Sequence, residues 1–242
     1  DDGDIGEGFF KDDEAYQIVP PSIPKAEPWS SGYTLAKEKE VIGIYISGHP
    51  MDDFRQEINA FCFGNVAMLK QPEDHVGRDL FLPVVVLTAE QRESMQGNAY
   101  GTFMVEDYTD QYKLSVFGEN YLKFRHFFQP GVFLTLRGKI GKNRFGNRVE
   151  FLLQDVELLQ NLRDKRVKGL HLTLTNKEVD HLMIEELNEV LVTHQGQCDV
   201  KFTILDPVDG IELNMTSKTM RVKPDPELYL ALTKLNIPFR LN

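Results

Sequence analysis

The sequence predicts an α+β protein of several domains, and three observations support this prediction. Residues 78–162 carry the apolar–polar alternation of β-strands, with one helical stretch among them. Residues 35–77 have helical spacing and form a short connector ahead of that region. Residues 163–242 mix strands with helices. A chain of 242 residues is long enough for two small domains of this kind.

The first 34 residues are predicted to form an extended acidic linker. They show no sustained period and contain four prolines, Pro20, Pro21, Pro24 and Pro28. The chain opens at Asp1 without the basic and apolar segments of a signal peptide. A start without Met leads us to expect a fragment of a longer protein. The longest apolar runs are far too short to span a bilayer.

The connector is predicted to contain two helical stretches separated by a turn. A charged, helix-favouring run leads into the apolar segment 42–46, and Ser47-Gly-His-Pro50 ends it. The next stretch places four residues on one helix face: Phe54, Ile58, Phe61 and Cys62. Pro50 suits the first helical position, and His49 is interpreted as a helix-capping or turn residue.

The middle region has the element order of an OB fold. Predicted strands lie at 80–95, 100–107, 112–117, 132–140 and 148–159, and a helix lies at 119–128. An OB fold is a five-stranded barrel, and here the helix falls between strands three and four. Another small barrel or a sandwich is the alternative. The position of the single helix favours the OB fold.

The last region is predicted to be a small α+β domain. Residues 163–168 have the composition of a solvated connector, and strands follow at 170–174, 198–205, 211–215, 219–222 and 238–241. Thr175-Asn-Lys-Glu178 has the spacing of a capping box, and Gly196 suits the C-terminal end of the helix that follows. A final helix starts at Asp225-Pro-Glu227.

Charge is distributed unevenly along the chain. The formal net charge is −10, yet residues 78–162 hold 10 acids and 10 bases and are neutral. The predicted barrel can therefore present a local basic face, although it has no strong electrostatic attraction for nucleic acid. Cys62 and Cys198 lie far apart in apolar surroundings, which predicts reduced thiols and a cytoplasmic protein.

The sequence contains no convincing catalytic or metal-binding constellation. The six histidines are scattered, and a Gly-rich phosphate loop is missing. The acidic pair Asp52-Asp53 falls in the first turn of a predicted helix, where the helix dipole favours acids. The acidic group Asp12-Asp13-Glu14 falls in the linker. Neither is expected to hold magnesium for catalysis.

A nucleic-acid-binding surface is the function that the predicted barrel favours. OB folds bind single strands across strands two and three, between the loops that join strands one to two and four to five. About half of the aromatic residues on such strands face the core, so at most two of Tyr100, Phe103, Tyr112 and Phe117 are expected to stack on bases. Tyr100 and Tyr112 are preferred because a phenol tolerates exposure. The loops add Gln96 and Asn147, although the basic loop 142–148 is equally consistent with a solvated hairpin. The predicted site residues are Arg92, Asn98, Tyr100, Tyr112, Lys142, Arg144 and Arg148.

Four segments resemble one protein family. They are Glu-Lys-Glu-Val-Ile-Gly-Ile-Tyr-Ile-Ser-Gly-His-Pro-Met-Asp-Asp-Phe at 38–54, Phe-Met-Val-Glu-Asp at 103–107, Leu-Ser-Val-Phe at 114–117 and Arg-Gly-Lys at 137–139. Together they are similar to the C-terminal region of the alpha subunit of bacterial DNA polymerase III, a replicative C-family polymerase. The resemblance extends over residues 35–242.

The resemblance implies a role in DNA replication. It implies an OB domain that binds single-stranded template DNA and a C-terminal domain that docks the tau subunit of the clamp loader. The family's parent chain is a DNA-directed DNA polymerase, a nucleotidyltransferase whose magnesium-dependent catalytic palm this fragment lacks. We therefore expect no cofactor and no activity of the fragment alone, and any contact with the sliding clamp through residues upstream. The alternative is a protein-interaction scaffold whose barrel does not bind nucleic acid.

Overall fold

The structure, a computed structural model, describes residues 31–43, 45–95, 97–143, 148–177 and 179–242. Most of the predicted linker, residues 1–30, lies outside this part of the chain, and helix α1 begins at Ser31 and ends at Ile42. After the Ser47–Pro50 turn, a 3-10 turn at Asp52–Phe54 leads into α2, Arg55–Phe61. Pro50 therefore precedes the helical residues and does not occupy their first position.

Five antiparallel strands form the OB fold in the order β3-β2-β1-β4-β5. The strands are β1 (Asp79–Glu93), β2 (Ala99–Glu106), β3 (Gln111–Phe117), β4 (Phe133–Lys142) and β5 (Val149–Leu158). Helix α3, Gly118–Phe124, lies between β3 and β4, as predicted. The long β1 pairs with β4 through its first half and with β2 through its second half. The predicted α+β class and OB fold are confirmed.

The barrel core explains why the alternating segments fold as they do. Leu82, Val84 and Leu136 turn inward from β1 and β4 and are fully buried. Phe103 of β2 stacks on Phe128, with ring centroids 4.0 Å apart. Burial of each such side chain contributes about 1.5–3 kcal/mol, so the inward face of every strand is fixed by its apolar residues.

The C-terminal unit is a four-stranded sheet with two helices on one face. It comprises β6 (Gly169–Thr175), α4 (His181–Thr193), β7 (Gln195–Asp206), β8 (Ile211–Val222), α5 (Pro226–Lys234) and β9 (Phe239–Leu241). The strand order is β8-β7-β6-β9. Strands β6 and β7 are parallel, with α4 as their crossover, and the other two pairs are antiparallel. Leu170, Leu172 and Leu232 are fully buried in its core.

Three local predictions in this unit are wrong. The cap of α4 is Asp180, whose carboxylate accepts from the amide of Met183 at 2.8 Å, while Glu178 of the predicted capping box lies outside the described residues. Gly196 lies in β7, where a Cβ would come within 2.4 Å of the amide nitrogen of Lys223. The glycine thus permits a close strand approach and does not end the helix. Residues 211–222 form one strand, β8, in place of two.

The segment 163–168 is only partly the solvated connector that was predicted, because Asp164, Lys165, Arg166 and Lys168 are exposed whereas Arg163 and Val167 are not. A π-helical turn covers Leu162–Arg166, and Arg163 extends back to α2, where its Nε atom lies 2.5 Å from Oε1 of the fully buried Glu57. The hydroxyl of Tyr229, on α5, donates to the same oxygen at 3.1 Å. Burial and the neighbouring Glu57 carboxylate raise the pKa of Tyr229. One buried carboxylate therefore joins the connector, the π-helical turn and the C-terminal unit.

Candidate nucleic-acid interface

The outer face of β2 and β3 is defined by three cross-strand pairs. Gly101, Phe103 and Val105 fill the inner face of β2, so the residues between them turn outward. The register of the two strands then sets outward residues opposite one another. These pairs are Tyr100 with Phe117, Thr102 with Ser115, and Met104 with Lys113.

An aromatic pair lies at one end of this face. The rings of Tyr100 and Phe117 stack with their centroids 4.8 Å apart and their planes inclined by 22°. Tyr100 is half-buried, whereas Phe117 is 59% exposed. A large, exposed aromatic face held rigid by a second ring is suited to stacking with a nucleobase.

Tyr112 lies on the other face of the sheet. It pairs with the inward Val105 and packs against the barrel core with Leu114 and Val116. Burial, together with the Glu150 carboxylate, raises the pKa of Tyr112. The structure therefore does not bring the two predicted tyrosines together. Phe117, which is not among the predicted site residues, is the exposed partner of Tyr100.

The loop between β1 and β2 lies beside the aromatic pair. Arg92 pairs across the strands with Tyr100, and its guanidinium bonds to the Glu90 carboxylate, with Nη2 and Oε2 2.6 Å apart. That hydrogen bond, with the charge of Glu90, raises the pKa of Arg92. The amide of Asn98 donates to Oγ of Ser94 at 3.1 Å, so this residue shapes the loop. Gln96 lies outside the described residues.

The loop between β4 and β5 lies at the other end of β3. Lys142 and Arg148 are exposed at its two ends, where the amide of Asn143 donates to the carbonyl of Arg148 at 3.0 Å. Arg148 and Glu150 act electrostatically on Tyr112, which places the base of this loop beside the first residues of β3. Arg144 and Asn147 lie outside the described residues. Five residues of β3, roughly 17 Å at 3.3 Å per residue, separate the two loops.

The residues of the 38–54 segment build a joint between the connector and the barrel. The carboxylate of Glu38, on α1, accepts from the amides of Ile46 and Ser47 and from the Ser47 hydroxyl. These bonds lower the pKa of Glu38. The ammonium of Lys39, the next residue, lies 2.7 and 2.6 Å from the two carboxylate oxygens of Glu106 at the end of β2. The joint therefore fixes α1 to the barrel.

The Ser47–Pro50 turn is held by Asp52. One oxygen of that carboxylate accepts from the amide of His49 at 2.7 Å, and the other accepts from the hydroxyl of Tyr108 at 3.0 Å. Nδ1 of His49 accepts from the amide of Met51 at 3.2 Å, and burial lowers the pKa of the imidazole. His49 thus has a turn-forming role, as expected. Asp107 completes the joint by accepting from the amide of Val66 at 2.7 Å.

The described part of the chain contains neither a metal-type cluster nor a membrane-spanning helix. In residues 31–43, 45–95, 97–143, 148–177 and 179–242, no three His, Cys, Asp or Glu side chains are grouped as a metal site would require. Within the same ranges, no helix is both long and apolar enough to cross a membrane.

Comparison with known proteins agrees with the resemblance seen in the sequence. Residues 170–242 match the family described as DNA polymerase III alpha subunit, C-terminal domain. The chain is 22% identical over 215 residues to DNA polymerase III subunit alpha of Escherichia coli (strain K12), covering 89% of this chain and 18% of that protein. It is 25% identical over 193 residues to the subunit of Bacillus subtilis (strain 168), covering 80% of this chain and 17% of that protein. The predicted relationship is confirmed.

These comparisons also show how much of the relatives the chain represents. It spans 18% of the length of the Escherichia coli subunit. Among solved structures, the second OB-fold domain of replication protein A from Methanococcus maripaludis is 10% identical, covering 34% of this chain and 85% of that one, with a TM-score of 0.25. At that TM-score, the assignment of the OB fold rests on the strand order described above.

Proposed function

We propose, for a chain related over most of its length to the C-terminal part of bacterial DNA polymerase III alpha subunits, a non-catalytic role in DNA replication. In this proposal the OB unit binds single-stranded template DNA. The C-terminal unit docks the tau subunit of the clamp loader. The match of residues 170–242 to the family's C-terminal domain supports the relationship on which the docking role depends.

The observation that carries the DNA-binding role is the stacked pair of Tyr100 and Phe117. It lies on the outer face of β2 and β3, where OB folds bind single strands. Each base stacked on such a ring contributes about 1–3 kcal/mol, whatever its identity. Phe117 therefore offers the ring on which a base stacks, and the Tyr100 ring packs against the other side of Phe117.

The rest of the outer face offers a track for the strand. From Phe117 the track follows β3 across the exposed Ser115 to Lys113 beside Met104. Thr102, opposite Ser115, is buried and adds little exposed surface. Lys113 is exposed, as are Lys142 and Arg148 of the flanking loop, so these cations can follow the phosphates. The barrel has no excess of positive charge, which limits affinity and makes stacking the larger contribution.

The test is a titration of fluorescently labelled oligothymidylate with the whole chain, followed by anisotropy at low and then rising salt. The proposal predicts binding at low salt that weakens as salt rises, because phosphate contacts release counterions. An absence of binding at low salt would contradict the DNA-binding role.

A second candidate function is a protein-interaction scaffold with a barrel that does not bind nucleic acid. The pairing of Arg92 with Glu90 favours it, because a guanidinium already bonded to a carboxylate is less available to a phosphate. The same titration separates the two functions, since the scaffold alone predicts no salt-dependent binding of the oligonucleotide.

A further inference from the structure

The sheet of the C-terminal unit has a free edge at β8. The strand order β8-β7-β6-β9 puts β8 at the end of the sheet, and within the described residues it pairs with β7 only. Pairing is regular from Ile211, opposite Asp206, to Thr216, opposite Lys201. Along these six residues, the backbone groups directed away from β7 can pair with another strand.

One face of this edge carries an exposed apolar row. Ile211, Leu213 and Met215 alternate along β8 and are 60%, 51% and 42% exposed. Leu213 and Met215 pair with Ile204 and Phe202 of β7, on the face that further along packs into the core through Val200. The apolar face of the sheet therefore continues beyond its buried part. Protein edges usually carry charge at such places, and an exposed apolar row indicates an interaction site.

The charges nearest the row are acidic. Asp206 ends β7, Asp209 lies in the turn that follows, and Glu212 lies at the start of β8. No Lys or Arg occurs from 202 to 217, and Lys218 and Arg221 lie further along β8. These acids are complementary to basic side chains on a partner segment.

From the edge, the apolar row and the charge together, we infer that Ile211–Thr216 docks an extended segment of a partner protein in which apolar and basic residues alternate. The segment adds a fifth strand to the sheet. Its backbone pairs with the free edge of β8, its apolar side chains cover Leu213 and Met215, and its basic side chains face the acids. This inference rests on the proposed docking role of the C-terminal unit and names the surface that performs it.

The experiment measures binding of the whole chain to the clamp-loader tau subunit by calorimetry. The double variant Ile211→Thr/Leu213→Thr removes apolar surface while keeping strand-favouring residues. We expect it to weaken binding by about tenfold or more, as loss of a central apolar contact does. Leu122→Ser, at a side chain of α3 that is 62% exposed, is the matched control and should leave affinity unchanged.

Two further measurements test the mode of binding. Charge reversal by Asp209→Lys/Glu212→Lys should weaken binding and reduce its dependence on salt. Hydrogen exchange of the unaltered complex should show new protection of alternate amides within 211–216, because only those on the free edge gain partners. Circular dichroism of each variant checks that the fold is retained.

The outcomes distinguish this inference from the docking role itself. Equal binding by the unaltered chain and by both double variants would overturn the inference and leave the docking role intact. Failure of the unaltered chain to bind the tau subunit would remove the docking role and the inference with it. A dimer in light scattering that the Ile211→Thr/Leu213→Thr variant abolishes would identify a second copy as the occupant and would also overturn the inference.

Discussion

Arg163 and Glu57 form an ion pair that spans 106 positions of the chain, with Nε and Oε1 2.5 Å apart. Glu57 is fully buried, and Arg163 is mostly buried. The guanidinium also donates to the carbonyl of Asp53, and Tyr229 donates to Glu57. The pair therefore fixes the C-terminal unit to the connector.

Removing Arg163 should destabilise the protein more than removing the whole pair. Arg163→Met leaves the buried Glu57 carboxylate without its counter-charge, which costs roughly 3 kcal/mol in comparable buried pairs. Glu57→Leu/Arg163→Met removes both charges and should recover most of that loss. Urea unfolding measures both, with Lys165→Met at an exposed neighbour as control. A double variant that is no more stable than Arg163→Met would contradict this prediction.

Glu38 should order the turn that follows α1. Its carboxylate accepts three hydrogen bonds from Ile46 and Ser47, so Glu38→Ala leaves those donors to water. We expect faster hydrogen exchange of the Ile46 and Ser47 amides in the variant. Glu40→Ala is the control, because Glu40 is exposed and pairs with Lys37 on the same helix. Unchanged exchange in Glu38→Ala would remove Glu38 from the joint.

His171 should make stability depend on pH. Its Nε2 lies 2.6 Å from Oγ1 of Thr203, and the guanidinium of Arg240 donates to Nδ1 at 2.9 Å, which requires a neutral ring with its proton on Nε2. Burial, followed by the charges of Arg240 and Lys201, lowers the pKa of His171. Since only the neutral ring fits these hydrogen bonds, His171 stabilises the folded state fully at pH values above its unfolded pKa of about 6.5. This stabilisation is lost as the pH falls below 6.5 towards the lower pKa of the folded state.

Urea midpoints measured between neutral pH and about pH 5 check this prediction. The unaltered chain should lose stability over that interval, and His171→Asn should lose less because the titrating ring is gone. His181→Asn, at an exposed histidine, is the control and should follow the unaltered chain. Parallel curves for all three proteins would contradict the assignment.

The loop between β4 and β5 should contribute to the salt dependence of DNA binding. Lys142→Gln/Arg144→Gln/Arg148→Gln removes three charges. The slope of log affinity against log salt should fall by about 2 if all three contact phosphates of a single strand. The control variant Lys177→Gln/Lys218→Gln/Lys234→Gln removes the same number of charges from exposed positions of the C-terminal unit. An unchanged slope in the loop variant would remove the loop from the interface.

The sequence predicted the barrel well because its strands and its helix are each indicated by a pattern within a short stretch of the chain. Alternation in 100–107 and 112–117 fixes which residues face the core, and the single helix at 118–124 identifies the OB order. The relationship between Arg163 and Glu57 was missed, because a charged run such as 163–168 has the composition of an exposed connector. Its partner is distant in the sequence, and only the tertiary fold reveals it.

The candidate site was predicted less completely. Phe117 and Tyr112 both lie on β3, but on opposite faces of the strand. Tyrosine was expected to be the exposed residue, whereas the structure exposes Phe117 and partly buries Tyr112. Strand alternation could have separated them, since positions 112 and 117 differ in parity. The register that sets Phe117 opposite Tyr100 depends on the β2–β3 turn, where Asp107 accepts from the amide of Thr109 at 2.7 Å.

Two phenylalanines of similar exposure provide the sharpest test of the proposed nucleic-acid interface. Phe117→Ala removes the proposed stacking platform, whereas Phe63→Ala removes a ring that is 53% exposed on the connector. We predict that Phe117→Ala weakens binding of oligothymidylate by about 1–3 kcal/mol, measured by anisotropy at low salt, and that Phe63→Ala binds as the unaltered chain does. Equal affinities for all three proteins would contradict a nucleic-acid interface on this face of the barrel.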